Sequence, residues 1–285
     1  VILADRDKVD MEDEIRAQVD NLGKTVVICR TGDPKSLRDL AIGSPQAARS
    51  IILLGPEDSV DPDTDVIKAA LALTSSPAHS GVKYHIVGEL TDPANLDIAH
   101  IVGGEEARWI VGPELIGRIT VQTCRQSGLS NIYQELLDFD RNEIYVTDQP
   151  SLVGLTYFDA QLSFDDSTVI GVVRSGGVLI NPMGTLVLEV GDQLIVIAED
   201  DSAIRLGQPH PITPTGITQR ERPAPAPERI LVLGENQTLS TMLIELDQYV
   251  APGSAATIVT RRKLRPLPEL LGLTVTAQQG DATNR

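Results

Sequence analysis

The first 55 residues alternate between short apolar runs and helix-forming segments, and this alternation limits the possible folds more than any other feature. The three apolar runs, typical of strands covered on both faces of a parallel sheet, are 1–4, 25–29 and 50–54. Segments 10–22 and 34–41 between them have helical character, and Asp33 precedes Pro34 where a helix cap is expected. Strands alternating with helices predict an α/β fold with a doubly wound parallel sheet.

The rest of the chain divides into further segments. A helix at 63–73 and strands at 83–90 and 108–111 complete a five-stranded N-lobe over 1–112. Helical patterns at 113–126 and 129–137 predict a crossover over 113–140, packed either on its own domain or against a second subunit. Short strands among glycine turns then predict a small α+β C-lobe over 141–206. Six prolines indicate a linker over 207–227.

Residues 228–285 predict the start of a second Rossmann-like repeat. Its predicted elements are a strand at 229–233, helix 239–249, strand 256–260, a short helix at 267–271 and strand 273–277. Gly23-Lys24-Thr25-Val26 before Gly32 resembles Gly272-Leu273-Thr274-Val275 before Gly280, which aligns 1–4 with 257–260. In this register the second copy has an earlier strand and helix that the first copy lacks. We therefore expect the first βα unit to lie upstream of Val1.

Composition excludes some classes of function. The net charge of −16 argues against nucleic acid as a partner, because phosphate backbones are bound by basic faces. The two cysteines, Cys29 and Cys124, indicate a reduced pair without a bridge. No apolar run approaches the roughly 20 residues of a membrane span. The sequence does not begin with Met, and we expect it to be a segment of a longer protein.

A Rossmann-like sheet makes a nucleotide such as NAD(H) a candidate cofactor. Asp5 follows a strand where a ribose-binding acid would stand, so Asp5 and Arg30 are the candidate cofactor-binding residues. The second copy offers only Gly234 in its turn, with Glu235 beside it, and Arg261 and Arg262 stand after its second strand in place of an acid. We expect no nucleotide in the second copy.

An acidic loop after the third strand is a candidate metal site. Its spacing imitates the start of an EF-hand, but Val66 and Ala72 occupy the glycine and bidentate glutamate positions, so an EF-hand is excluded. Carboxyl ends of strands are where open sheets bind ligands. The candidate Ca²⁺ ligands are Asp58, Asp61, Asp63, Asp65 and Glu89, with Asp5 as a further possible member. The alternative is that these acids are solvated and stabilise a helix N-terminus.

Nothing in the sequence predicts an enzyme. The four histidines, His79, His85, His100 and His210, are scattered, and no nucleophile motif or carboxylate pair stands out. Catalytic residues are therefore predicted to be absent.

Several segments together resemble one known family. They are Ala4-Asp5-Arg6-Asp7-Lys8, Val27-Ile28-Cys29-Arg30, Val102-Gly103-Gly104-Glu105 and Ile197-Ala198-Glu199-Asp200-Asp201, and they resemble the CASTOR/POLLUX family of ion channels. The resemblance implies RCK domains (regulators of K⁺ conductance, TrkA-like), each with a Rossmann-like N-lobe, crossover helices and a small C-lobe.

The resemblance also implies a function. It implies a gating ring on the cytoplasmic face of a membrane, in a homo-tetrameric channel for K⁺ or Ca²⁺ whose pore helices lie upstream and whose opening is biased by a ligand such as Ca²⁺. The alternative is a soluble regulatory protein that binds NAD(H) or another nucleotide.

Overall fold

The computed structural model describes residues 1–76, 79, 81–138, 140–208 and 224–280. The described strands are β1 Ile2–Ala4, β2 Cys29–Thr31, β3 Ile51–Leu53, β4 Ile86–Leu90, β5 Ala107–Val111, β6 Glu143–Asp148, β7 Thr168–Arg174, β8 Gly177–Ile180, β9 Gln193–Ala198, β10 Arg229–Leu233, β11 Ser254–Thr260 and β12 Leu273–Gln279. The described α-helices are α1 Lys8–Gln18, α2 Leu37–Leu40, α3 Pro62–Thr74, α4 Leu96–Gly103, α5 Gly112–Arg125, α6 Leu129–Leu137, α7 Tyr157–Gln161 and α8 Leu239–Tyr249. The predicted α/β class with parallel sheets is confirmed.

Two compact units make up the described chain. The first comprises Val1–Val121 with Ala226–Arg285, and the second comprises Gln122–Pro225. Residues 209–223, which hold most of the predicted linker and His210, lie outside the described residues, as does Asp281. None of the helices in the described ranges has both the length and the apolar character that crossing a membrane requires.

Parallel strands build the N-lobe of the first unit. β3, β4 and β5 pair in that order, and β1 pairs with β2. On α3 the buried positions Val66, Ala69, Ala70 and Leu73 recur at helical spacing, so one face of the helix packs on the sheet. Ile86 and Leu90 of β4 are fully buried beneath it. This packing fixes the start of α3 beside the carboxyl ends of β3 and β4.

The second repeat forms its own parallel sheet, with β11 between β10 and β12. Leu239, Leu243 and Leu246 of α8 are buried against Ile258 of β11 in a separate core. β12 pairs in parallel with β11, just as β2 pairs in parallel with β1 in the first copy. β10 occupies the other edge of β11, whereas β1 has no second partner strand among the described residues.

The first crossover helix packs against the second repeat. A Cβ at Gly117 of α5 would come within 3.2 Å of the Thr241 side chain, so only a small residue allows this approach of α5 to α8. Arg118 Nε lies 2.9 Å from a Glu245 carboxylate oxygen, and Val121 is buried in the core of the second repeat. The predicted bounds of α5 are off by one residue at each end, and those of α6 are reproduced.

The segment predicted as the C-lobe lies within the second unit and is α+β. Its antiparallel sheet has the strand order β6-β9-β7-β8, and Tyr157 and Ala160 of α7 are buried against it. Thr156 caps α7 by accepting the Asp159 amide, while Asp159 accepts the Thr156 amide in return. Arg174 donates two hydrogen bonds to Asp192 and joins the ends of the β7–β9 pair.

Three sequence predictions of local structure are wrong. The second strand spans Cys29–Thr31 instead of 25–29, because its pairing with β1 starts at Ile2 opposite Cys29. Asp33 does not cap the next helix: Ser36 accepts the Asp39 amide, and the helix is only the four-residue α2. Residues 267–271 are not helical, since prolines at 266 and 268 lack amide donors and disfavour helix at the preceding residues.

The five strands of the N-lobe also do not form one sheet. Among the described residues no hydrogen-bonded pairing joins β1 to β3. β1 and β3 each therefore have one edge without a partner strand among the described residues.

Candidate functional site

The acidic loop after β3 and the first turn of α3 together carry most of the predicted metal ligands. Asp61 is the N-cap of α3: its carboxylate accepts the Thr64 amide at 3.1 Å and the Thr64 hydroxyl at 2.6 Å. Pro62 follows at the first helical position, so the sequence Asp-Pro sets the start of the helix. Both oxygens of Asp61 therefore face its own helix.

Asp63 is buried, with 2% of its surface exposed, and it holds the turn after β4. One of its oxygens accepts the Thr91 amide at 2.7 Å and the Thr91 hydroxyl at 2.8 Å. The other accepts the Asp92 amide at 2.9 Å and the Asn95 side-chain amide at 2.8 Å. Burial acts to raise the pKa of Asp63, but these hydrogen bonds outweigh it and hold the pKa below its usual value. Asp63 is a charged clamp between α3 and the β4–α4 turn.

Asp65 links the acidic loop to the segment before α2. It accepts the Ser59 hydroxyl at 2.7 Å and lies 3.0 Å from Lys35 Nζ. The hydrogen bond from Ser59, and then the one from Lys35, lower the pKa of Asp65. The bond to Asp65 correspondingly raises the pKa of Lys35, against a smaller effect of burial.

The remaining predicted site residues are exposed to solvent. Asp5, Arg30, Asp58 and Glu89 all face solvent, and Arg30 donates to the Cys29 carbonyl at 3.0 Å. Across the described ranges, no group of three His, Cys, Asp or Glu side chains is close enough to hold a metal ion. Asp61, Asp63 and Asp65 each accept hydrogen bonds from protein donors, and Ca²⁺ binding stays a prediction.

Sequence reasoning missed Glu106, which fastens the turn before β4. Its carboxylate accepts the Tyr84 amide at 2.8 Å and lies 2.9 Å from His79 Nε2. Burial acts to raise the pKa of Glu106, but the hydrogen bonds from Tyr84 and His79 have the larger combined effect. The net result is a pKa below the usual value for glutamate. His79 and Glu106 are 27 residues apart, and no spacing in the sequence signals their contact.

A cavity of about 110 Å³ opens in the second repeat, where the turn after β10 meets the loop after β11. Asn236, Gln237 and Ser240 line it from the start of α8, and Arg262 and Arg265 line it from the loop. Sequence reasoning noted Arg262 only as a replacement for an acid, and it missed Arg265. The signal was present: residues 261–265 carry four basic side chains in a chain of net charge −16.

The fold defines the class to which this region belongs. Over 90% of this chain and 54% of the other, it is similar to the structure of the human SLO3 gating ring, with a TM-score of 0.63 and 12% sequence identity. This similarity shows a shared fold of the RCK type, with Rossmann-like N-lobes.

Sequence comparison then identifies the family. Residues 113–213 match the family described as Castor and Pollux, part of voltage-gated ion channel. The chain is 36% identical over 259 residues to a probable ion channel CASTOR of Oryza sativa subsp. japonica, and 35% identical over 257 residues to a probable ion channel POLLUX of Arabidopsis thaliana. Each match covers 89% of this chain but only 29% and 31% of the relatives. The predicted resemblance to the CASTOR/POLLUX family is confirmed over 89% of this chain.

Proposed function

We propose that this chain is the ligand-sensing gating-ring region of a homo-tetrameric cation channel that conducts K⁺ or Ca²⁺. The observation that carries the proposal is the packing of α5 on α8, which links two Rossmann-like segments in a family whose members are named as ion channels. The pore would lie in a part of the protein outside this chain, and the region would face the cytoplasm. The role is not enzymatic: a ligand biases pore opening by binding one ring shape more tightly than the other.

The experiment is electrical recording from the complete protein in planar bilayers. Gly117→Leu, which inserts a side chain between α5 and α8, is expected to change open probability without changing the conductance of the open pore. Thr120→Leu, on the exposed side of the same helix, is the matched control and should leave both unchanged. A complete protein that gives no cation current would overturn the proposal.

Ca²⁺ is the proposed ligand of the acidic loop. Binding requires Asp65 to exchange Lys35 and Ser59 for the ion, since these donors now occupy its carboxylate. Lys35→Gln should therefore tighten Ca²⁺ binding measured by calorimetry, and Asp65→Asn should weaken it. Equal Ca²⁺ affinity in both variants would exclude this loop as the sensor.

The second candidate function is a nucleotide-binding regulatory protein. It is favoured by the parallel pairing of β1 and β2, which sets Leu3 opposite Arg30 and so brings Asp5, the residue after β1, to the neighbourhood of Arg30. Saturable NADH binding that is lost in Asp5→Asn, in a complete protein that carries no current, would select this function over the channel.

A further inference from the structure

The cavity in the second repeat has the chemistry of an anion site. Arg262 and Arg265 line it from one side, and no acidic side chain in the described part of the chain pairs with either. Guanidinium groups present planar donors that match phosphate oxygens in pairs. Two arginines that have no acidic partner among the described residues line one small cavity, and their charge is available to a bound oxyanion.

The opposite wall supplies backbone donors. α8 begins beside the cavity, and its N-cap, Thr238, makes no side-chain hydrogen bond to the helix amides. α1 and α3, by contrast, are capped by Asp7 and Asp61. Asn236 accepts the Thr238 amide through its side chain at 3.0 Å and the Leu239 amide through its carbonyl at 3.3 Å. An anion between α8 and the arginines would therefore meet the next amides of the first turn, which lie at the positive end of the helix.

Size and backbone decide which anion fits. A cavity of about 110 Å³ is well below the roughly 300 Å³ at which pockets for whole organic ligands begin. The turn has only Gly234, without the further glycines that let a pyrophosphate approach the backbone. We propose that this cavity binds a single phosphoryl group, either as free inorganic phosphate or as the terminal group of a nucleotide whose remainder stays outside.

One residue sets the strength of this site in the opposite direction. Glu235 also lines the cavity and repels an anion there. Its removal should increase affinity, whereas removal of either arginine should decrease it. If the loop attracted anions only through its overall positive charge, the result would differ. Removing any one of the basic side chains of residues 261–265 would then weaken anion binding to a similar extent.

Binding at this cavity could also affect the packing of the crossover helix α5 on α8. Leu239 and Ser240 line the cavity, and the neighbouring Thr241 packs on Gly117 of α5. A phosphoryl group that orders the first turn of α8 therefore orders the surface on which the crossover helix sits. The binding proposal itself does not depend on the channel role.

The test is calorimetric titration of the 285-residue chain with inorganic phosphate, ADP and adenosine at one ionic strength, about 0.15 M. Saturable binding of phosphate is expected, with affinity roughly tenfold lower in Arg262→Gln and in Arg265→Gln, since each loses charge-assisted hydrogen bonds. Glu235→Gln should bind severalfold more tightly. Lys263→Gln, which removes an equal charge from the same loop outside the cavity, is the matched control and should change affinity less than about twofold.

Each outcome of the titrations either supports or overturns the proposed phosphoryl site. Equal affinity for phosphate and ADP identifies a free oxyanion, and much tighter ADP binding that is still lost in Arg262→Gln identifies a nucleotide terminus; both support the proposal. It is overturned if phosphate and ADP both fail to bind at about 10 mM. It is also overturned if adenosine binds as well as ADP, or if Lys263→Gln weakens binding as much as Arg262→Gln. Because the three basic side chains are exposed and Glu235 is only half-buried, the variants should keep the wild-type melting temperature.

Discussion

Asp63 shows how a buried carboxylate can hold two elements together without binding a ligand. Its oxygens accept four hydrogen bonds from Thr91, Asp92 and Asn95, so its charge is matched inside the protein. We predicted Asp63, with Asp61 and other acids, as a Ca²⁺ ligand because the sequence shows only the spacing of these acids. The donors are 28 to 32 residues away and arrive through the β4–α4 turn, which local patterns do not reveal.

Asp63→Ala should therefore destabilise the chain strongly. The change leaves the Thr91 and Asp92 amides and the Asn95 side chain without their acceptor, and we expect the free energy of unfolding to fall by about 2–4 kcal/mol. Urea denaturation followed by circular dichroism measures it. The control is Asp58→Ala in the same loop, which is exposed and should change stability by less than about 0.5 kcal/mol. Equal losses in the two variants would contradict the clamp.

The same clamp predicts a pH dependence. The pKa of Asp63 is lowered in the folded chain relative to the usual 3.8, so its stabilisation is complete above the unfolded pKa. It is lost as the pH falls through the lowered pKa, when the folded state must take up the proton. The difference in unfolding free energy between wild type and Asp63→Ala should therefore be constant from about pH 7 to 5 and shrink below about pH 4. A difference that grows on acidification would refute the assigned direction.

At the scale of elements, helices with a clear apolar period were predictable and elements set by pairing were not. α3, α6 and α8 follow 3.6-residue patterns, and their predicted bounds lie within a residue of the observed ones. The run 25–28 is as apolar as any strand, yet Val26 is 80% exposed, because pairing with β1 starts only at Cys29. Similarly, the cavity forms where the start of α8 contacts the loop after β11, about 25 residues later in the sequence. No sequence motif predicts that contact.

The contact of α5 with α8 gives a prediction at the same scale. Gly117→Leu places a side chain where even a Cβ would lie 3.2 Å from Thr241, so the helices must separate or repack. Overpacking of this kind should lower the free energy of unfolding by about 1–3 kcal/mol. Amide hydrogen exchange should quicken in α8 more than in α3, which belongs to a different core. Thr120→Leu should leave exchange in both helices as in the wild type, and an identical change in α3 and α8 would argue against a local interface.

At the scale of the whole molecule, the N-lobe has two sheets where the second repeat has one. β11 is paired on both sides, while β1 and β3 each lack a second neighbour among the described residues. Ile52 and Leu54, at and just beyond β3, are each 68% exposed, an apolar surface beside unpaired backbone. The internal repeat predicts that a strand and helix from upstream sequence would fill this position, as β10 and α8 do in the second repeat.

Extending the chain upstream tests that prediction. If about 30 added residues of the parent protein supply a strand between β1 and β3, that strand pairs with both edges at once and joins the two sheets. Amides of β1 and β3 should then exchange more slowly, and the melting temperature should rise by several degrees, as a few kcal/mol of added stability implies. An extension of equal length beyond residue 285 should protect neither strand. If the upstream extension leaves both edges exchanging freely, the first repeat is not built like the second, and the alignment of 1–4 with 257–260 is wrong.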